Sequence, residues 1–368
     1  MSEQLPPSGH AIALVGNPNT GKTTLFNALT GLSQRVGNYP GVTVQYHAGQ
    51  AQLPQSGKAQ IIDLPGTYSL SASSPDEAVA VDVLLGQQAG APPIDLVVAI
   101  ADASNLRRHL YLLSQILETG HRVVLALNMM DLAHERDVHV DIDALSSRLG
   151  IPIIPLTSHR GTGIDDLIDA IDSSLQQDRP QPTQTHLPRE LIAVADELCQ
   201  GDDAPVENSV EALRVLVDVD GHLEQRAIAT GGQPLRLRLA ELRQAVSTDE
   251  PLSSVESEAR YAWISDIVAN TLRGDEKLRP RRSDQIDRIL THRVAGLAVF
   301  ILISATTFQG IFTWSAPLMD AIDGLFRQLG DSAGRLISEG PLQSLIVDGV
   351  IAGVGGVLIF VPQIAILF

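Results

Sequence analysis

Cysteine, lysine and dense basic runs are scarce in this sequence. Cys199 is the only cysteine, which excludes an intramolecular disulfide and any site built from several cysteines of one chain. Lysine occurs at three positions, and 43 acidic residues outnumber 26 basic ones, giving a formal net charge of −17. Because nucleic-acid polymers bind to concentrated Lys and Arg, we expect no nucleic-acid partner.

Residues 1–10 are polar, so no signal peptide is expected there. Hydrophobic residues make up 44% of the chain and charged residues 19%, which excludes a chain that is disordered throughout. The mean hydropathy of +0.10 is high for such an acidic protein. It predicts a polar body joined to a lipid-soluble segment.

Short aliphatic runs alternate with amphipathic stretches as far as residue 175. The runs predict buried strands at 11–15, 59–63, 95–101, 123–128 and 152–157. The stretches predict helices at 23–30, 107–119, 141–149 and 164–175. This alternation indicates an α/β domain over residues 1–175, with a mostly parallel sheet and helices on both faces. The prolines in residues 176–188 predict a linker.

The rest of the chain is predicted to be helical, first polar and then apolar. Residues 189–275 have apolar residues at helical spacing and predict a small all-α domain. A segment at 276–293 precedes an uncharged run at 294–314, which is long enough for one transmembrane helix. A loop and amphipathic segment at 315–348 leads to a second uncharged run at 349–368. Its glycines and Pro362 leave open whether this second membrane segment crosses the bilayer fully.

Charge around the first uncharged run predicts its orientation. Segment 276–293 is basic, whereas only Arg327 and Arg335 lie between the two runs. Because positive residues stay on the cytoplasmic side of a membrane, we expect the N-terminal domains to face the cytoplasm.

Residues 16–23 have the Gly-x-x-x-x-Gly-Lys-Thr spacing of a phosphate-binding loop, between a predicted strand and a predicted helix. Its glycines let backbone N–H groups surround a phosphate, which the helix N-terminus also attracts. Lys22 would place a positive charge at the β- and γ-phosphates, and the Thr23 hydroxyl would bind Mg²⁺. The predicted nucleotide contacts in the loop are Gly16, Asn17, Pro18, Asn19, Thr20, Gly21, Lys22, Thr23 and Thr24.

Three further motifs follow in the order expected of a GTPase. In the first, Asp63 would hold Mg²⁺ and the Gly66 N–H would contact the γ-phosphate. In the second, Asp131 would accept two hydrogen bonds from guanine, a donor pair that adenine lacks. The third is a loop whose N–H groups would contact the guanine O6. Their predicted contacts are Asp63, Leu64, Pro65, Gly66, Asn128, Met129, Met130, Asp131, Ser158, His159 and Arg160.

Each motif follows a predicted strand, which places them together at the ligand-binding edge of the sheet. The predicted ligand is GTP or GDP rather than an adenine nucleotide. Met129 stands where a lysine often covers the base, which predicts modest affinity and fast exchange. Thr67 stands where many GTPases have a water-orienting glutamine, which predicts slow intrinsic hydrolysis.

Several strings in this chain together resemble ferrous iron transport protein B, the FeoB type. They are residues 16–27, 35–44, 63–70 and 128–131, and residues 355–363 are similar to the start of the permease core of that family. The resemblance covers nearly the whole chain. It implies a cytoplasmic GTPase joined, through a helical domain similar to a nucleotide-dissociation inhibitor, to an Fe²⁺-transporting domain of the bacterial inner membrane. Nucleotide state would regulate uptake of Fe²⁺, the transported substrate.

The resemblance also implies roles for individual residues. Thr43, preceded by Gly41 and Val42, matches the switch I threonine that binds Mg²⁺ in the GTP state. Lys22, Thr43 and Gly66 form the implied catalytic set. Asn19 and the carbonyls of Gly37 and Tyr39 match a K⁺ site that would stimulate hydrolysis.

The implied partners are the lipid bilayer, small accessory Feo proteins and further copies of the chain. Family members continue well beyond this length as multi-pass proteins. We therefore expect the sequence to be part of a longer protein, with the residues that conduct iron downstream.

Two other functions stay open from the residues alone. One is a soluble regulatory GTPase with a hydrophobic C-terminal core, against which the acidity and the two uncharged runs argue. The other is a membrane-anchored GTPase that transports nothing.

Overall fold

The computed structural model describes residues 9–31, 34–38, 44–180, 186–200, 206, 208–246, 250–273, 290 and 294–367. The chain divides into two compact units, residues 1–277 and 278–368. The first contains the sheet and the polar helices, and the second contains the apolar helices.

A seven-stranded sheet forms the centre of the first unit, in the order β2-β3-β4-β1-β5-β6-β8. Strand β1 pairs in parallel with β4 and β5, and β5, β6 and β8 continue the parallel part. Strands β2 and β3 add an antiparallel edge. The strands are β1 His10–Gly16, β2 Gln34–Asn38, β3 Gln45–Leu53, β4 Gly57–Asp63, β5 Leu96–Asp102, β6 Arg122–Asn128 and β8 Ile153–Pro155.

Helices cover both faces of this sheet, and β1 shows how. Ile12 and Leu14 point into a core shared with α1 and α6, whereas Ala13 and Val15 point into a core shared with α2, α3 and α5. The predicted α/β class with a mostly parallel sheet is therefore confirmed. The helices are α1 Lys22–Thr30, α2 Pro75–Leu84, α3 Leu106–Glu118, α4 Met130–Glu135, α5 Ile142–Leu149 and α6 Ile164–Leu175.

Four helices follow the sheet in the same unit. Helix α9 is interrupted at Gly232, where φ is 65° and ψ is −156°. Two-residue strands β7 His139–Val140 and β9 Leu272–Arg273 then pair antiparallel. The helices are α7 Arg189–Leu198, α8 Ser209–Val217, α9 His222–Val246 and α10 Leu252–Thr271.

A buried network of charges joins these helices to the sheet domain. The guanidinium of Arg260 donates to Glu256 at 2.6 Å and to Glu118 of α3 at 2.7 Å. Arg214 of α8 also pairs with Glu256, and all four side chains are at most 2% exposed. Burial opposes ionisation of Glu256, but the charges of Arg214 and Arg260 outweigh it and lower its pKa from 4.5 to about 2. Two positive charges thus balance two negative ones in the interior.

The second unit contains two long apolar helices. One covers Ala295–Leu336 and includes a π-helical turn at Gly310–Trp314, and the other covers Pro341–Ala365. Both are long and apolar enough to cross a membrane. At 1.5 Å per residue the first would be roughly 63 Å long, about twice a bilayer core. Charged side chains such as Asp323 and Arg327 lie in its second part, Ala316–Leu336, so its first part is the one suited to lipid.

Replacing Arg260 tests whether the buried network holds the first unit together. Arg260→Leu leaves two buried carboxylates short of a partner, so we expect the free energy of unfolding to fall by about 3–5 kcal/mol. Urea unfolding of the detergent-solubilised chain would measure this through Trp263 fluorescence, in a Trp314→Phe background.

The matched control is Arg238→Leu, because Arg238 pairs with Glu197 and Glu241 on a half-exposed surface. Such pairs contribute about 1 kcal/mol or less. Equal losses in the two variants would show that the buried charges add no special stability.

Candidate nucleotide-binding site

The predicted phosphate loop lies between β1 and α1, as its spacing requires. Strand β1 ends at Gly16 and α1 begins at Lys22. Asn19 and Gly21 have φ values of 65° and 86°, and the Thr20 hydroxyl donates to the Asn17 carbonyl at 2.9 Å. These left-handed positions curl the chain around the start of α1, the arrangement that presents N–H groups to an anion.

The segment after β4 lies directly against this loop. The Thr67 N–H donates to the Gly16 carbonyl at 3.3 Å. A Cβ atom on Gly66 would lie 3.3 Å from Pro18, so glycine permits the close approach. The Thr67 hydroxyl donates to the Ser69 carbonyl at 2.6 Å. The Thr67 side chain therefore stabilises the turn in which it lies.

Lys22 and Asp63 meet where the two segments converge. The Lys22 ammonium donates to the carboxylate of Asp63, whose side chain is 8% exposed. Thr23 follows Lys22 and is exposed in the first turn of α1. Hard divalent cations prefer carboxylate and hydroxyl oxygens, so the donor chemistry of Thr23 and Asp63 fits Mg²⁺.

Asn128 connects the phosphate loop to the predicted guanine-binding segments. Its amide Nδ2 donates to the Thr20 carbonyl at 2.8 Å, and its Oδ1 accepts from the Ser158 N–H at 3.0 Å. The side chain is 2% exposed. One amide therefore fixes both loops to the end of β6.

Asp131 lies on the same side, at the start of α4. Its carboxylate is 24% exposed and lies 3.5 Å from His159 Nε2 and 4.0 Å from Arg160. Met129, just before α4, has a left-handed φ of 60°. The structure thus brings the second and third predicted motifs together, with a carboxylate accessible to a ligand.

The predicted switch I residues lie only partly within the described residues. Tyr39, Gly41, Val42 and Thr43 lie outside the described residues. Gly37 lies in β2, opposite Tyr46 of β3. The roles inferred for these residues stay predictions.

The structure also shows polar contacts that the sequence did not reveal. Leu70 donates its N–H to Gln115 Oε1 at 2.7 Å, which fastens the segment after Gly66 to α3. Arg108 lies over the Tyr68 ring, 4.6 Å from its centroid. No short-range spacing marks either pair, because the two residues are 45 positions apart in the first pair and 40 in the second.

A model of the family described as "Ferrous iron transport protein B" matches residues 10–171. A curated relative from Porphyromonas gingivalis, a fusion of Fe(2+) transport protein A and Fe(2+) transporter FeoB, is 35% identical over 99% of this chain and 44% of its own length. The cytosolic domain of L. pneumophila FeoB has a similar structure, with a TM-score of 0.61 and 34% identity over 72% of this chain and 99% of that one.

The chain belongs to the FeoB family. The cytosolic domain of T. maritima FeoB, in a GMPPNP form, is also similar, with a TM-score of 0.57 and 30% identity over 72% of this chain and 99% of that one. The chain spans about half the length of the curated FeoB relatives it matches, between 44% and 51% for the first of them.

Gly21→Ala tests the contact between the phosphate loop and Asn128. An added Cβ would lie 2.4 Å from Asn128 Nδ2, so one of the two segments must move. We expect nucleotide affinity to fall at least about tenfold, the loss of roughly one hydrogen bond to a charged ligand. Calorimetric titration with GDP would measure it.

Gly31→Ala is the matched control, because Gly31 has a φ of 59° at the other end of α1 and open space around its Cβ position. It imposes similar backbone strain without touching the site. If Gly31→Ala weakened GDP binding as much as Gly21→Ala, the collision with Asn128 would not be the cause.

Proposed function

We propose that this chain is the GTP-binding and GTP-hydrolysing cytoplasmic portion of a ferrous iron transporter, with its first membrane segments. The observation that carries the proposal is the double hydrogen bond of Asn128, which groups three GTPase motifs at one edge of the sheet. Family membership suggests that Fe²⁺ is the transported substrate, because the curated relatives are named Fe(2+) transporters. Nucleotide state would regulate iron uptake.

Guanine is selected by Asp131 and Asn128. A carboxylate that accepts from the guanine N1–H and 2-amino group would meet no such donors in adenine, and leaving it unpaired is costly. Met129 covers the ring without adding charge, which accounts for modest affinity and fast exchange. The backbone of Ser158, His159 and Arg160 lies beside the base.

The phosphate loop and the segment after β4 bind the phosphates and support hydrolysis. Lys22 holds the β- and γ-phosphates, and a phosphate entering the loop competes with Asp63 for its ammonium. Thr23, Thr43 and Asp63 are the residues that would hold Mg²⁺, which neutralises phosphate charge when bound. The Gly66 N–H contacts the γ-phosphate.

Slow intrinsic hydrolysis follows from Thr67, whose hydroxyl is engaged by Ser69 and so cannot orient a water. Stimulation by K⁺ would compensate, with Asn19 and the carbonyls of Gly37 and Tyr39 holding the cation. A fixed positive charge at the phosphates stabilises the charge that develops during hydrolysis.

The chain would lie in a bilayer, the inner membrane of a bacterial cell. Its two apolar helices and the basic residues at 276–293 support a cytoplasmic position for the first unit. The complete protein would be multi-pass. Small accessory Feo proteins are proposed partners because one relative is fused to Fe(2+) transport protein A, and a homo-oligomer is proposed with them.

Asn19→Ala tests the K⁺ assignment. If the Asn19 amide helps to hold K⁺, the variant should lose most of the difference between hydrolysis rates in potassium and sodium chloride. The readout is the ratio of the two rates within each protein, because Asn19 lies in the phosphate loop at a φ of 65° and its replacement also changes the absolute rate. Undiminished stimulation by K⁺ would show that Asn19 does not help to hold the cation.

Lys22→Ala tests whether nucleotide chemistry drives iron uptake. Without the ammonium, we expect GTP hydrolysis to fall at least about hundredfold, since this charge acts on the transferred phosphate. Uptake of Fe²⁺ by iron-uptake-deficient cells expressing the complete protein should fall with it.

Lys58→Ala is the control, because Lys58 is an exposed lysine on β4 away from the phosphate loop. Its hydrolysis and uptake should match the parent protein. Correct membrane insertion with GTP hydrolysis but no iron uptake in the parent would favour a membrane-anchored GTPase that transports nothing.

A further inference from the structure

The last two described residues before position 274 are paired with the sheet domain. Leu272 and Arg273 form β9, which pairs with Val140 and His139 of β7. The Asp141 N–H extends the pairing by donating to the Thr271 carbonyl at 2.8 Å. The described part of the first unit therefore ends in a paired strand.

Helix α10 strengthens the same attachment. Arg148 of α5 donates to Asp266 of α10 at 2.6 Å. Leu145 of α5 belongs to the same hydrophobic core as Ile264 and Val268 of α10, and all three are at most 4% exposed. The C-terminal half of α10 and β9 thus hold β7 and α5 as one packed body.

Along the sequence, β7 and α5 lie between the two segments predicted to contact guanine. They follow Asp131 through the short helix α4, and they precede the Ser158 loop through β8. The Met130 N–H donates to the Leu156 carbonyl at 3.2 Å, so the two ends are also joined at the site. A displacement of β7 and α5 must be taken up at one or both of these segments.

We propose that β9 is a positioning element for guanine recognition, acting through β7 and α4 on Asp131. When β9 is paired, the base-recognition segment is held in its binding geometry. When β9 is not paired with β7, the contact with the base loosens. The inference rests on the proposed guanine site and adds a connection that bypasses the phosphate loop.

Coupling of this kind is reciprocal. If pairing of β9 favours guanine binding, bound guanine favours pairing of β9 by the same factor. The base-binding end of the nucleotide site and the pairing of β9 would then influence each other through β7 and α4.

Arg273→Pro tests the connection. Because Asp141 bonds to Thr271, the alternation of an antiparallel ladder makes His139 and Arg273 the next hydrogen-bonded pair, and proline removes that donor. Arg273→Ala keeps the N–H and is the matched control, since the Arg273 side chain is exposed.

The readout is the ratio of the dissociation constants for IDP and GDP, measured on the full chain in detergent. Hypoxanthine lacks the 2-amino group, so this ratio reports on the Asp131 contact and a general loss of stability leaves it unchanged. We expect the ratio to fall about fivefold or more in Arg273→Pro, the lower end of usual coupling between sites. Arg273→Ala should keep the parent ratio.

A disulfide across the pair keeps the proposal testable if Arg273→Pro does not fold. His139→Cys with Arg273→Cys, in a Cys199→Ser background, places two cysteines directly opposite each other, within the usual span of a disulfide. Oxidation should slow GDP release relative to the same protein reduced, and the His139→Cys variant without the second cysteine should not respond.

Equal IDP-to-GDP ratios in the proline, alanine and parent proteins, or equal GDP release from the oxidised and reduced pair, would overturn the proposal. These outcomes are distinct from failure of the proposed function. If the parent chain binds ADP as tightly as GDP, the guanine site itself is wrong.

Discussion

The hydrogen bonds of one buried amide determine the arrangement of the nucleotide site. Asn128 ends β6 and fixes both the phosphate loop, through Thr20, and the Ser158 loop. Without it, two loops from different strands would each need their own support. Because an unpaired buried amide is costly, the amide and its two partners enforce one geometry. The phosphate loop and the predicted base-recognition loop are therefore held together at one edge of the sheet.

Helix α10 contacts the sheet domain at two places with different chemistry. Near its start, Glu256 and Arg260 enter a buried charge network with Glu118 of α3. Gln115 connects this network to the segment after Gly66, since it accepts from Leu70 and donates to Glu256 at 3.3 Å. Near its end, α10 packs on α5 and continues into β9. One helix is thus linked through Gln115 to the segment after Gly66, and through α5 and β9 to the elements between the predicted guanine-binding segments.

The α/β fold and the site motifs were predictable, because they depend on local signals such as the aliphatic strands and the Gly21-Lys22 spacing. Strands β2 and β3 were missed because β3 is largely polar and forms part of an antiparallel edge. The Glu256–Arg260 network was missed because an i, i+4 ion pair usually marks a solvated helix face. The β7–β9 pair joins residues more than 130 positions apart, and no periodicity reports such a contact.

Titration of the purified full chain with GDP and ADP, in the presence of Mg²⁺, tests the central claim most directly. A site in which Asp131 and Asn128 are preorganised to meet guanine should bind GDP more than about hundredfold more tightly than ADP. Equal affinities for the two nucleotides would show that this edge of the sheet does not recognise guanine, and the assignment as a GTPase would fall with it.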